Sequence, residues 1–509
     1  MFSAAEASPR QRQTRMSDLT KIEQLAAPCS GELPAETSAI LRIFGENTLW
    51  LWLDLGALRL GTMLAGLFLI RYFGPANFGI YSMALAVGWV ANAFIDLGLT
   101  RYSARAVAAT PREVHPILAL SLFTTIASAI PTIVVLIIAV DTGHAQMACL
   151  AAGFVLCNLE GTSSLCSSIL TADLRSRAIL PGSILGAFGL IGLTFLAISL
   201  RLSVLSLLIG LCFKSLLVLC LRLWQLRSHW PSSRDWRWSQ FKRVARKARP
   251  FFANSLTQVG YGKVAILCLG FVATKVAVGW FAAAYTISDV IPQWSYALSG
   301  ALLPLWTRLF EAGRCEEMLK LRQRLLDAIL FATIPIWITL AVFAPQVSNL
   351  LGPQYIPGAP VLRIVALRCV LSVLDGFLGH GFLVAVNRVG ERQKALARSL
   401  VVLAVLSLAF GARWGAVGVG FALVISDLSL ILQYLWITAR IGLRVEWPSM
   451  APSLIAAGFM AACALGVPGD VNFILRAFAA VAVYFAVLLV LSRERLLGLG
   501  QTLRECIAP

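Results

Sequence analysis

The sequence predicts an all-α integral membrane protein with about fourteen transmembrane helices, arranged as two six-helix bundles of parallel orientation plus two C-terminal helices. Of its 509 residues, 58% are hydrophobic and only 13% are charged, and the mean hydropathy is +0.79. A soluble domain has about a quarter of its residues charged. Apolar stretches long enough to cross a bilayer recur along the chain, and basic residues gather between them, as in loops that fix membrane topology.

Fourteen apolar stretches account for the predicted helices, since a bilayer core of ~30 Å needs about 20 apolar residues in a helix. Six of them lie before the longest polar gap, near residues 45–70, 78–100, 116–140, 145–170, 179–200 and 203–224. Six more follow the gap, near residues 250–273, 277–307, 325–344, 359–386, 396–412 and 414–437. The last two lie near residues 450–467 and 471–491.

These stretches divide the chain into successive parts. The predicted parts are a disordered cytosolic tail (1–44), an N-terminal six-helix bundle (45–224), a basic cytosolic loop (225–249), a C-terminal six-helix bundle (250–437), two additional transmembrane helices (450–491) and a cytosolic tail (492–509). The first tail is polar and of mixed charge, and it lacks the short apolar core of a signal peptide.

The distribution of Lys and Arg predicts the orientation in the membrane. When the N-terminus is placed in the cytosol, most of the 43 basic residues fall on the cytosolic side. The basic residues in loops on the opposite side are Arg71, Arg201, Lys275 and Arg413. The positive-inside rule therefore predicts that both termini are cytosolic. The net charge of +18 follows from these loops, and nucleic acid is not an expected partner.

The basic loop between the bundles also contains Trp230, Trp236 and Trp238. One interpretation is a loop that only fixes topology. Another is an amphipathic segment that lies on anionic lipid. The two interpretations are compatible.

A short internal match supports two related halves. Residues 78–84 align with residues 278–284, and both segments follow the first span of their half. An even number of spans brings the chain back to the same side, so the second copy enters the membrane with the same orientation. Parallel repeats of this kind enclose a substrate path between them.

The stretch 71–82 (RYFGPANFGIYS), followed by 96–99 (DLGL), resembles the polysaccharide-biosynthesis exporters. These are the O-antigen flippases (Wzx type) of the multidrug/oligosaccharidyl-lipid/polysaccharide (MOP) superfamily. The resemblance implies a flippase that moves an undecaprenyl-diphosphate-linked oligosaccharide to the outer leaflet, for lipopolysaccharide or exopolysaccharide export across a bacterial inner membrane. It also implies membrane lipids, glycan polymerases and glycosyltransferases as partners. A lipid II flippase and a cation-coupled multidrug exporter of the same superfamily remain alternatives.

Basic residues at membrane depth are the predicted substrate-binding residues, because an ionised group there needs a partner or a water-filled cavity. We expect Arg59, Lys263, Arg363 and Arg368 to line a cationic cavity for a diphosphate. Under the offset of 200 residues, Lys263 corresponds to position 63, one helical turn from Arg59. The alternative is that these residues form structural ion pairs between helices.

Acidic residues at membrane depth are candidates for ion coupling. Asp289 lies three residues before Pro292, which is expected to kink its helix and free backbone carbonyls. Asp375 and Asp54 are the other coupling candidates. Charged residues expected to reach the interface from span ends are Asp96, Glu160, Lys214 and Asp427.

An enzyme is the alternative of another class, for example a membrane glycan polymerase or glycosyltransferase. The sequence contains no HExxH, GxSxG or phosphate-binding loop motif in its polar segments. Its eleven cysteines and four histidines form no metal-binding pattern. We therefore expect a transporter with no catalytic residues, no metal and no cofactor.

Overall fold

The computed structural model describes residues 35–110, 113–173, 176–231, 235–290, 292–443, 451–466 and 472–507. Every regular element in these ranges is helical, which confirms the predicted all-α class. The α-helices are α1 (Ala35–Asp96), α2 (Leu99–Ala109), α3 (Val114–Asp141), α4 (Ala145–Ala172), α5 (Leu180–Ser199), α6 (Val204–Gln225), α7 (Trp238–Val272), α8 (Lys275–Ser288), α9 (Pro292–Glu311), α10 (Cys315–Val342), α11 (Ala344–Leu351), α12 (Ala359–Val365), α13 (Arg368–Leu374), α14 (Leu383–Ala385), α15 (Val389–Arg440), α16 (Ala451–Gly466) and α17 (Phe473–Ile507). A π-helix, Asp375–Phe382, connects α13 to α14.

The described helices provide the predicted fourteen membrane segments. Nine of them are long and apolar enough to cross a bilayer. Two of these nine, α1 and α15, are each broken by a glycine with non-helical backbone angles, so each forms two segments. The remaining three segments are the broken pair α8–α9, the series α12–α14 and the shorter helix α16.

Glycine makes the two sharp breaks within α1 and α15. Gly74 has φ 67° and Gly415 has φ 58°, a region that residues with a Cβ rarely adopt. Pro75 follows Gly74 and has no N–H to continue the helix. The predicted break at Gly74-Pro75 is confirmed.

Three boundaries differ from the sequence-based expectation. Helix α1 begins at Ala35, inside the predicted tail, while residues 1–34 lie outside the described part of the chain. Helix α7 begins at Trp238, inside the predicted basic loop, because its apolar residues recur at helical spacing. Helix α17 continues to Ile507, through most of the predicted second tail.

The bundle has two ends, which we name by their residues. The glycine end contains the turns at Gly74, Gly143, Gly352 and Gly415. The basic end contains the start of α7 and the turns at Gly98, Gly313 and Gly442. In the predicted orientation, the basic end is cytosolic.

The two halves meet at the glycine end through a pair of glycines. Gly79 of α1 lies against Lys275 and Gly279 of α8, and Gly279 lies against Pro75. A Cβ on either glycine would overlap the backbone of the opposite helix. Gly79 and Gly279 are equivalent under the offset of 200 residues, so the repeat seen in sequence places its two copies in direct contact.

A hydrogen bond reinforces this closure. The Tyr355 hydroxyl, on the segment between α11 and α12, donates to the Ile70 carbonyl of α1 at 3.0 Å. Burial raises the pKa of the Tyr355 hydroxyl, so the group remains protonated and able to donate. The glycine end is therefore sealed by backbone contact and by a buried tyrosine.

We expect Gly79→Ala and Gly279→Ala each to open the glycine end. Overpacking of a tight contact costs about 1–3 kcal/mol, and separation of the halves relieves it. The measurement is alkylation of a reporter introduced at Ile70→Cys, which should become faster in both variants. Gly192→Ala is the control, because no atom lies within 4 Å of its added Cβ. Unchanged alkylation in both test variants would contradict this role.

At the basic end, the start of α7 packs beneath the first half. Phe241, Val244 and Ala248 are buried against α2, α3 and α4. The Lys247 ammonium pairs with Glu113 at 2.8 Å between Nζ and Oε1. This segment of α7 is thus an amphipathic helix that joins the two halves.

Candidate functional site

A broken membrane segment forms the centre of the candidate site. Helix α8 ends at Ser288, and Pro292 begins α9. The Asp289 N–H donates to the Tyr285 carbonyl at 2.9 Å and completes α8. The predicted interruption before Pro292 is confirmed, and it places a carboxylate where the helix ends. Broken helices at this depth form substrate and ion sites in many transporters.

A buried guanidinium connects the break to two other segments. Arg368, on α13, lies 2.8 Å from Asp289 Oδ1 through Nη1. Its Nε lies 3.6 Å from Asp427 Oδ2 on α15, and its Cζ is 4.4 Å from the centre of the Tyr285 ring. The Tyr261 hydroxyl of α7 donates to Asp427 Oδ1 at 2.6 Å. Arg368 is therefore held by carboxylates, as in the structural alternative.

Lys263 differs from Arg368 in its surroundings. It is partly buried in α7, and no carboxylate of the described residues lies within ion-pair distance of its Nζ. Its longer-range electrostatic neighbours include Asp289 and Arg368 in the second half and Cys157 in the first half. Lys263 thus has electrostatic neighbours in both halves of the chain.

Arg59 lies on the face of α1 that is directed toward the second half. It is exposed, and it precedes Gly66 by seven residues on α1. Residues seven apart share a helix face, and the Cβ position of Gly66 lies 3.6 Å from Thr286 of α8. Phe68, nine residues from Arg59, is exposed on the opposite face and contacts Phe195. Arg59 therefore projects toward the second half, about 10 Å nearer the basic end than Gly66.

Arg363 is not brought to the site with the other predicted cations. It is exposed, and its Nε donates to the Ala341 carbonyl of α10 at 3.1 Å. Arg363 is in α12, whereas Arg368 is in α13, and the two helices are separated by a turn at residues 366–367. A role of Arg363 in substrate binding therefore stays a prediction.

The predicted coupling carboxylates are also separate from one another. Asp289 lies beside Arg368, whereas Asp375 accepts hydrogen bonds from the hydroxyls of Tyr296 at 2.9 Å and Tyr434 at 3.0 Å. Asp375 and Arg368 do not form an ion pair. They are seven residues apart, a spacing that puts two side chains on the same face of a regular α-helix. The side chain of Asp54 lies outside those that the structure describes.

The four charged residues expected to reach the interface have specific partners instead. Lys214 Nζ lies 3.2 Å from Glu160 Oε1. Asp96 caps α2, because its Oδ1 accepts from the N–H and the hydroxyl of Thr100. Asp427 is buried beside Arg368. Its position midway between Gly415 and Arg440 places it in the middle of a membrane segment, and this feature of the sequence could have predicted its burial.

With this geometry established, comparison with known proteins identifies the family. The profile of the family described as "Polysaccharide biosynthesis protein" matches residues 44–310, just over half of the chain. The chain belongs to this polysaccharide biosynthesis protein family. The predicted family is thereby confirmed. Comparison with curated proteins finds no match.

Solved transporters share the fold of this family member. The lipid II flippase MurJ in an inward closed conformation aligns with a TM-score of 0.68 at 13% identity, over 88% of this chain and 99% of that one. An inward-facing multidrug resistance MATE family transporter of the MOP superfamily aligns with a TM-score of 0.51 at 16% identity, over 78% and 94%. MATE in the straight conformation aligns with a TM-score of 0.50 at 17% identity, over 79% and 96%. The fold is therefore that of membrane transporters.

Proposed function

We propose that this protein flips an undecaprenyl-diphosphate-linked oligosaccharide from the cytosolic to the outer leaflet by alternating access. The observation that carries the proposal is the pair Lys263 and Arg59. Lys263 has electrostatic neighbours in both halves, Arg59 lies on the face of α1 that carries Gly66, and among the described residues neither cation has a carboxylate at ion-pair distance. A diphosphate would supply the missing negative charge, and the family description, polysaccharide biosynthesis, supports a glycan as the cargo.

The closed glycine end suggests how the cycle proceeds. The contact of Gly79 with Gly279 closes the glycine end, so in this cycle the substrate enters from the basic end. Binding of the diphosphate between Arg59 and Lys263 links the two halves through charge-assisted contacts. Separation of Gly79 from Gly279 then exposes the headgroup to the other side. The contact of Arg368 with Asp427 keeps α13 and α15 together during this movement.

An ion gradient is the proposed source of energy, with Asp289, Asp375 and Asp54 as candidate coupling residues. Asp289 is placed at the break between α8 and α9, where a small rotation changes its distance from Arg368. The Asp289–Arg368 pair therefore provides one contact that can differ between the two states of the cycle.

The test is flipping in proteoliposomes that contain the purified protein. A fluorescent undecaprenyl-diphosphate-linked oligosaccharide is added to both leaflets, and its transbilayer movement is measured by quenching from outside. We expect movement that depends on the protein, and slower movement of lipid II and of an undecaprenyl monophosphate. A rate equal to that of empty liposomes would contradict the proposal, and faster movement of lipid II would favour the lipid II flippase alternative.

Arg59 and Arg363 provide a matched pair of predictions in this assay. Arg59→Gln should slow flipping by about two- to fivefold, since an exposed charge contributes modestly. Arg363→Gln should leave the rate unchanged, because its side chain bonds to α10 away from the space between the halves. A larger loss in Arg363→Gln than in Arg59→Gln would reverse our assignment.

The proposed setting is a bacterial inner membrane with both termini cytosolic, and the proposed role is export of O-antigen or a related surface polysaccharide. Glycosyltransferases that build the glycan and a polymerase that extends it are the expected partners. Cysteine labelling of the basic end from the cytosolic side would support the orientation.

A further inference from the structure

A second group of ionisable side chains surrounds the π-helix, Asp375–Phe382. His380 Nδ1 lies 3.8 Å from Asp375 Oδ2. Tyr296 of α9 hydrogen-bonds the same carboxylate, and its ring meets the His380 ring edge-to-face at 4.7 Å. Tyr434 of α15 bonds the other carboxylate oxygen. Nothing in the proposed substrate path accounts for this cluster.

The π-helix brings the aspartate and the histidine together. They are five residues apart, and in an α-helix that spacing turns side chains about 140° from each other. The i→i+5 pattern of a π-helix places them on one side, and such segments often occur at functional sites. Gly376, Gly379 and Gly381 permit the segment because they pack directly on Ser295, Tyr434 and Trp306.

Arg392 of α15 occupies the other side of the imidazole. It is buried, and its Nη2 lies 2.5 Å from Nε2 and 3.1 Å from Nδ1 of His380. A ring nitrogen that accepts from a guanidinium carries no proton. Among the described residues, no carboxylate lies within ion-pair distance of Arg392 and its Nε has no hydrogen-bond partner. The contact of Arg392 with the ring therefore requires a neutral His380, and Tyr434 is another polar neighbour of Arg392.

We propose that His380 is a proton-binding site that exchanges Arg392 for Asp375 during the transport cycle. A proton can occupy a ring nitrogen only when Arg392 withdraws from it. The resulting imidazolium pairs with Asp375, and the return of Arg392 displaces the proton. One proton is thus bound in one state and released in the other, which gives the proposed flippase a coupling ion.

The charges around His380 connect this exchange to the contact between the halves. The groups that face it are Asp375 on its own segment, Tyr296 on α9, Tyr434 and Arg392 on α15, and Arg101 on α2 of the first half. Arg101 donates to Gln258 of α7 at the basic end. A positive imidazolium repels both arginines, so protonation loosens the basic end.

The first test measures conformation and needs no substrate. Spin labels are carried by noncanonical residues at Ala104 and Lys394, which are exposed on α2 and α15, and the distance between them is followed from pH 5 to pH 8 in nanodiscs. We expect one population change as the pH falls, because protonation of His380 expels Arg392. His380→Gln keeps an acceptor for Arg392 but cannot take up the proton, and it should abolish the change.

Two further variants keep this result interpretable. His144→Gln changes an exposed histidine at the glycine end and should behave as the wild type. Asp375→Asn removes the partner of the imidazolium and should reduce the amplitude of the change. A wild-type distance that is constant with pH, or an unaltered response in His380→Gln, would overturn the proposal.

The second test uses the flipping assay with imposed gradients. A difference of one pH unit should accelerate wild-type flipping by roughly five- to tenfold, a typical coupling factor, and His380→Gln should lose this stimulation. Wild-type flipping stimulated by sodium and insensitive to pH would overturn proton binding. Absence of any flipping alongside an intact pH response in the first test would contradict the proposed function alone.

Discussion

Arg368→Met should strongly destabilise the second half. It leaves Asp289 and Asp427 without their shared cation, and loss of one partner from a buried ion pair costs about 3–5 kcal/mol. We expect the lower part of that range because the Asp289 side chain is about one-third exposed. The measurement is the thermal midpoint of the detergent-solubilised protein, which should fall by several degrees.

A combined variant separates charge from packing. Arg368→Met with Asp289→Asn and Asp427→Asn also removes the two carboxylate charges that face the missing guanidinium, and it should recover much of the lost stability. If Arg368→Met alone were as stable as the wild type, the cluster would not hold α8, α13 and α15 together.

Lys263→Gln should have the largest effect on transport with little effect on folding. The wild-type ammonium has no carboxylate of the described residues at ion-pair distance, so its removal leaves no such group unpaired. A hydrogen bond to a charged group contributes about 1.5–3 kcal/mol, equivalent to roughly 10- to 150-fold in rate when it is lost from the transported state. The measurement is the initial flipping rate at matched protein level.

Lys242→Gln is the matched control for Lys263→Gln. Lys242 is also a lysine of α7, but it is exposed near the basic end beside Trp238. Its loss should leave flipping within about twofold, as expected for a solvent-exposed charge. Equal losses in the two variants would indicate a general effect of charge rather than a role of Lys263 in the path.

The sequence was most informative where the backbone chemistry is local. Gly74-Pro75 and Pro292 predicted helix breaks because proline has no N–H to donate to the preceding turn. Both breaks are present in the structure. The repeat was readable because close approach of the two halves requires a small residue at positions 79 and 279. Bilayer thickness fixed the span lengths, which is why fourteen segments could be predicted from hydropathy.

The partners of the charged residues were less predictable, because they depend on the rotation and register of neighbouring helices. Arg363 and Arg368 looked equivalent in sequence, yet one is exposed and the other is buried between carboxylates. Asp427 was placed at the interface by its sequence, although the structure buries it. The contact of Asp375 with His380 requires a π-helix, which helical periodicity does not predict.

A structure of the protein with a bound undecaprenyl-diphosphate-linked oligosaccharide tests the central claim most directly. We predict the diphosphate between the halves, with a phosphate oxygen about 2.7–2.9 Å from Lys263 Nζ and with Arg59 reaching the same headgroup. A headgroup bound elsewhere, with Lys263 and Arg59 both out of contact with it, would contradict the account.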